Sequence, residues 1–112
     1  MKVLVVDPDP LFSRLLKSKL EKWGHRVTVA HDGAAAYELI AKEPFRMVIM
    51  DTELPGMHGL ELCQRIRTLL RPRYTYIIFY ADFTDKAAVM SCLEAGADDY
   101  LSKPLNTAEM QL

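Results

Sequence analysis

Residues 2–24, KVLVVDPDPLFSRLLKSKLEKWG, hold a strand, an acidic turn and a helix in immediate succession. Val3 to Val6 is an unbroken apolar run of β-branched and aliphatic side chains, the composition of a strand covered on both faces. Beyond it Phe12, Leu16, Leu20 and Trp23 recur at steps of four, four and three. Arg14, Lys17, Ser18 and Glu21 take the other face, so the spacing predicts an amphipathic helix. Asp9 suits its N-cap, Pro10 its first position and Gly24 its end.

Four further strand-like runs follow: Arg26 to Ala30, Arg46 to Met50, Tyr76 to Tyr80, and Asp99 to Leu101. Asp32-Gly33 opens an alanine-rich helix that stops before Pro44, and Gly59 leads into a helix that ends before Pro72. Thr84 or Asp85 caps a helix closing at Gly96, and a last one begins near Asn106 or Thr107, with only its first turns before Leu112. Strands alternating with helices specify one doubly wound parallel α/β sheet, joined by right-handed crossovers and covered by helices on both faces. Ligands of such sheets bind outside the carboxyl ends of the strands, where the strand order reverses.

At those ends stand Asp7 and Asp9, then Asp51 followed by Thr52 and Glu53, then Tyr80 and Asp82, then Lys103 and Pro104. Carboxylates converging on one rim repel one another by a few kcal/mol per pair at an effective dielectric of about 20, so a cation or a raised pKa is called for. Oxygen donors from Asp and backbone carbonyls suit Mg²⁺, and a lysine adds fixed positive charge for a phosphate. This is equipment for phosphoryl transfer to an aspartate.

The rest of the composition narrows the field. The 112 residues fit one domain, and 14 basic against 15 acidic side chains leave a net charge of −1, which argues against nucleic-acid or acidic-membrane partners. No apolar run approaches the roughly 20 residues of a membrane span, and Met1-Lys2-Val3 leads straight into a strand. Cys63 and Cys92 lack CxxC spacing and read as reduced structural thiols of a cytoplasmic protein. His25, His31 and His58 read as loop residues, and Met47, Met50, Met57 and Met90 as core and loop filling.

Taken in order, VLVVDPDP at 3–10, VIMDTELPGMHGLELCQRIR at 48–67 and LEAGADDYLSKPL at 93–105 make the chain resemble a receiver domain of the bacterial two-component response regulators. The resemblance covers essentially the whole chain. It implies a flavodoxin-like sheet of order 2-1-3-4-5, a phosphoacceptor at Asp51, a phosphate-pairing Lys103 before a cis peptide at Pro104, and a switch aromatic at Tyr100. It implies Mg²⁺ held by Asp7, Asp51 and the Glu53 carbonyl. A sensor histidine kinase is the implied partner, an effector domain the implied reader, and the face of the fourth helix, fifth strand and fifth helix the implied surface for homodimers. It further implies that residues 1–112 are the N-terminal part of a longer response regulator with an incomplete fifth helix.

Two positions depart from the family. Pro8 replaces the second of two adjacent acids, the one that binds metal directly, leaving Asp9 or the Glu53 carboxylate as substitute ligands. Tyr80 stands where Thr or Ser hydrogen-bonds the phosphoryl group, and its bulk is expected to crowd that space and the void used by Tyr100. Three expectations follow. One is a phosphorelay receiver, not an enzyme beyond its own phosphorylation and dephosphorylation. The second is a phosphorylation-independent pseudo-receiver acting in protein interaction or dimerisation. The third, from the strand-Asp7-x-Asp9 spacing, is a haloacid-dehalogenase-like phosphatase with Asp7 as nucleophile and Asp9 as acid/base.

Overall fold

A computed structural model of the chain describes residues 1–69, 73–81 and 86–102. The elements run β1 (Lys2–Val6), α1 (Pro10–Lys22), β2 (Arg26–Ala30), α2 (Gly33–Lys42), β3 (Met47–Asp51), α3 (Gly59–Thr68), β4 (Tyr76–Ala81), α4 (Lys86–Glu94) and β5 (Asp99–Ser102). All strands are parallel, in the order β2-β1-β3-β4-β5. The doubly wound α/β class and the strand order expected from the sequence are therefore present, with strand ends within a residue of those read from composition.

The central strands β1, β3 and β4 are almost wholly buried, whereas the edges β2 and β5 keep exposed or half-buried positions. Strand alternation sorts the core into two layers. Leu4, Val6, Val48, Met50, Ile77 and Phe79 pack with residues of α2, α3 and α4, among them Ile40, Leu62 and Cys92. Val3, Val5, Met47, Ile49, Ile78 and Tyr80 pack under Leu16 and Leu20 of α1.

The helix starts hold to the same chemistry. Asp9 accepts from the Leu11 amide at 3.0 Å with Pro10 in the first turn, and Asp32 accepts from the Ala35 amide at 2.7 Å. His58 is more than a loop residue, because its Nδ1 accepts from the Leu60 amide at 3.2 Å and caps α3. Gly24 and Gly96 have positive φ of 91° and 109° just past α1 and α4, where the chain must turn left-handed. Cys63 and Cys92 are buried thiols without a disulfide. Asp82, Thr84, Asp85, Lys103, Pro104, Asn106, Thr107 and Leu112, named from the sequence, lie outside the described residues.

Candidate functional site

The register carries the acids to one rim. Val6 of β1 pairs with Met50 of β3, so the next residues, Asp7 and Asp51, leave neighbouring central strands side by side. Asp51 in turn pairs with Tyr80 of β4. Counting by twos places Asp7 with Val3 and Val5, Asp51 with Met47 and Ile49, and Tyr80 with Ile78. All three thus leave the sheet on the α1 side.

Asp7 is 1 % exposed and Asp51 9 %. Asp7 Oδ1 accepts from the Asp9 amide at 2.7 Å, an Asx-type turn that Pro8 favours by fixing its own φ. Its other oxygen, Oδ2, accepts a hydrogen bond from the Tyr80 hydroxyl. The amide of Asp7 donates to the Ala30 carbonyl at 3.0 Å, while its own carbonyl accepts from His31 Nδ1 at 3.0 Å, so the turn is also tied to β2. Asp51 Oδ1 accepts from the Glu53 amide at 3.0 Å, which fixes the carboxylate's direction.

Tyr80 is fully buried, its ring 5.0 Å from that of Phe12 on α1 and tilted by 35°. Burial pushes its hydroxyl far above the usual phenol range, aided by the bond to Asp7 and by the charges of Asp7, Asp51 and Asp9. It is a permanent donor at neutral pH. The ring fills the layer beneath α1, and its hydroxyl donates to Asp7.

The structure brings Asp7, Asp51 and Tyr80 together but treats the two candidate substitute ligands differently. Asp9 directs its side chain to the α1 cap. The Glu53 side chain is 84 % exposed and lies 3.7 Å from His58 Nε2. Among the described residues no three His, Cys, Asp or Glu side chains gather as a metal cluster. Two buried carboxylates nevertheless suit Mg²⁺, which takes one or two carboxylates and keeps several waters. Tyr100 on the edge strand β5 is 39 % exposed and pairs in register with Phe79 of β4. The phosphatase expectation finds no support in this arrangement, with Asp7 sealed under Tyr80 and Asp9 committed to a cap.

Sequence reading missed two features. At Gly59 a Cβ would stand 2.5 Å from the Asp51 carbonyl oxygen, so only glycine lets α3 begin against the end of β3. The Gly59 amide then donates to the Thr52 carbonyl at 2.9 Å. Far from the rim, Arg67 donates to the carbonyls of Gly96 and Thr75 and to Asp98 Oδ2, at 2.9, 2.6 and 2.8 Å. Asp98 Oδ2 also accepts from the Ile77 amide at 2.8 Å, joining α3, β4 and the start of β5.

Residues 3–112 match the Response regulator receiver domain family. Transcriptional regulatory protein CrdR of Helicobacter pylori is 34 % identical over 110 residues, covering 98 % of this chain and 51 % of that protein. CutR of Streptomyces coelicolor, also named a transcriptional regulatory protein, is 36 % identical over 110 residues, 98 % of this chain and 50 % of its own. The chain thus spans about half the length of these curated relatives. A putative response regulator of Chloroflexus aurantiacus superposes with a TM-score of 0.91 at 33 % identity, over 97 % of this chain and 89 % of that one. The receiver domain of a Pseudomonas aeruginosa sensor histidine kinase, with magnesium in its active site cleft, superposes at 0.89 with 30 % identity, over 98 % and 90 %. With the sheet order, the paired acids and the family match in agreement, the chain belongs to the receiver domains of the two-component response regulators.

Proposed function

We propose that this receiver takes a phosphoryl group onto Asp51 from the phosphohistidine of a sensor histidine kinase and passes the change to its outer surface. The observation that carries the reading is Asp51 itself. Its carboxylate ends the central strand β3 beside Asp7, with one oxygen aimed by the Glu53 amide. In the step, an Asp51 oxygen attacks phosphorus, the bond to the donor imidazole breaks, and the imidazole leaves with the bonding pair. Asp7, Asp51 and the Glu53 carbonyl are the groups to hold Mg²⁺, which when bound offsets the negative charge of the incoming phosphoryl group. Lys103, by its place in the SKP segment, is assigned to the phosphoryl oxygens. The Pseudomonas receiver domain with magnesium in its cleft supports the same use of this rim.

The outer surface offers a reader. Met90 and Leu93 of α4 and Tyr100 of β5 are exposed on neighbouring elements, an apolar patch suited to a second copy or an effector domain. We place the chain in the cytoplasm as the receiver of a longer regulator. By analogy with CrdR and CutR, transcriptional control is the class of output, with any nucleic acid bound by the effector. The receiver's own role is signalling, with self-phosphorylation and self-dephosphorylation its only chemistry.

Incubation with Mg²⁺ and acetyl phosphate, followed by intact mass, tests the reading. A gain of about 80 Da that vanishes in Asp51→Asn supports it. The second reading, a phosphorylation-independent interaction module, draws on Pro8 and on the Tyr80–Asp7 bond. An unchanged mass across Mg²⁺ and donor concentrations overturns the first reading and favours the second.

A further inference from the structure

Tyr80 grows from the strand beside β3 and bonds to a residue on the strand beyond it. The order β1-β3-β4 makes Asp7 two strands from Tyr80, a span of about 9.5 Å between strand axes. A Ser or Thr hydroxyl at this position stops short of Asp7. The phenol crosses the end of β3, and its hydroxyl donates to Asp7 Oδ2. The ring cannot drift, because Phe12 of α1 packs on it and Val5, Ile49 and Leu16 belong to the same buried layer. With Oδ1 already accepting from the Asp9 amide, each Asp7 oxygen has a protein donor.

We propose that Tyr80 is a built-in latch on the acidic rim: its hydroxyl holds Asp7 in place of a divalent cation, and the ion gains its full hold on Asp7 only when that hydrogen bond breaks. Pro8 and Tyr80 then act together. Pro8 offers no carboxylate beside Asp7, and the phenol takes up Asp7 itself. The resting domain keeps its buried carboxylate satisfied without metal, and phosphorylation waits on displacement of the phenol. The proposal rests on the reading of Asp7 as a ligand of the ion that serves Asp51.

Calorimetric titration of Mg²⁺ alone into the wild type, Tyr80→Phe and Tyr80→Phe/Asp7→Asn tests it. Tyr80→Phe keeps the ring and its packing and removes only the donor, so Mg²⁺ is expected to bind at least about tenfold more tightly, the lower end of what a charge-assisted hydrogen bond contributes. Adding Asp7→Asn is expected to abolish the gain. Phe12→Leu, which loosens the ring without touching a carboxylate, is expected to shift affinity the same way by a smaller factor. Equal or weaker binding in Tyr80→Phe overturns the latch, as does absence of binding in both wild type and Tyr80→Phe. The mass gain on Asp51 is read separately. Tighter Mg²⁺ with no phosphoryl gain sinks the phosphoacceptor reading and keeps the latch, and equal Mg²⁺ affinity with a normal gain does the reverse.

Discussion

Removing the Tyr80 hydroxyl leaves a carboxylate that is 1 % exposed with one donor fewer. A hydrogen bond to a charged group contributes about 1.5–3 kcal/mol, so Tyr80→Phe is expected to lose stability of that order in urea unfolding at pH 7 without metal. An unchanged midpoint would show that water replaces the phenol at no cost. The neighbouring constraint is steric. Gly59→Ala puts a Cβ 2.5 Å from the Asp51 carbonyl oxygen and 3.0 Å from the Phe79 ring, so α3 or the end of β3 must shift. The expected cost is about 1–3 kcal/mol, with amide shifts in NMR centred on residues 51–53. Of these residues the acids were readable from the chain, since a strand run followed by Asp needs only a pattern. The Tyr80–Asp7 bond was not, because it links positions 73 residues apart and depends on which face of β4 the ring takes. Alternation, counted from Ile78, was the signal available for that face. Gly59 looked like a helix start and gave no sign of the carbonyl beside it.

Each element answers to its ends. Asp9 caps α1 through the Leu11 amide, and Asp9→Ala is expected to cost about 1 kcal/mol in the unfolding midpoint. The same substitution leaves the Asp9 amide on Asp7 Oδ1 intact, because that contact is made by backbone. At the opposite pole Arg67 joins α3 to the residues entering β4 and β5 through three hydrogen bonds, of which the one to Asp98 is also an ion pair. Arg67→Met keeps much of the stem and loses the guanidinium fork. About 2 kcal/mol of stability is expected to go, reduced from the fully buried figure because both partners remain partly exposed, and hydrogen exchange is expected to speed at Ile77 first. Helix positions and caps were legible because apolar spacing and Asp, Pro and Gly signals are local. The Arg67 clamp was not legible, since its partners Thr75, Gly96 and Asp98 come together only when β4 and β5 pair.

Across the whole molecule, the two-layer core sets the response to pH. Burial pushes the Cys63 thiol up to about 11 from 9.0, with the charge of Asp98 and the Cys92 thiol raising it further and Arg67 opposing. A folded-state pKa raised above the unfolded one favours the folded, protonated form. That contribution is complete below pH 9 and is lost as pH rises towards 11. Urea midpoints are therefore expected to fall between pH 8 and 10.5, and to fall less steeply in Cys63→Ala, which starts from lower stability because a buried side chain is truncated. The fold as a whole was legible because alternating βα units admit few arrangements, and the rim followed from the fold. The central claim is that Asp51 receives the phosphoryl group. Borohydride reduction after incubation with Mg²⁺ and acetyl phosphate converts an aspartyl phosphate to an alcohol, and peptide mass spectrometry then finds the altered residue. The expected result is reduction at Asp51 alone; a mark on Asp7 or Asp9, or no mark under any donor condition, contradicts it.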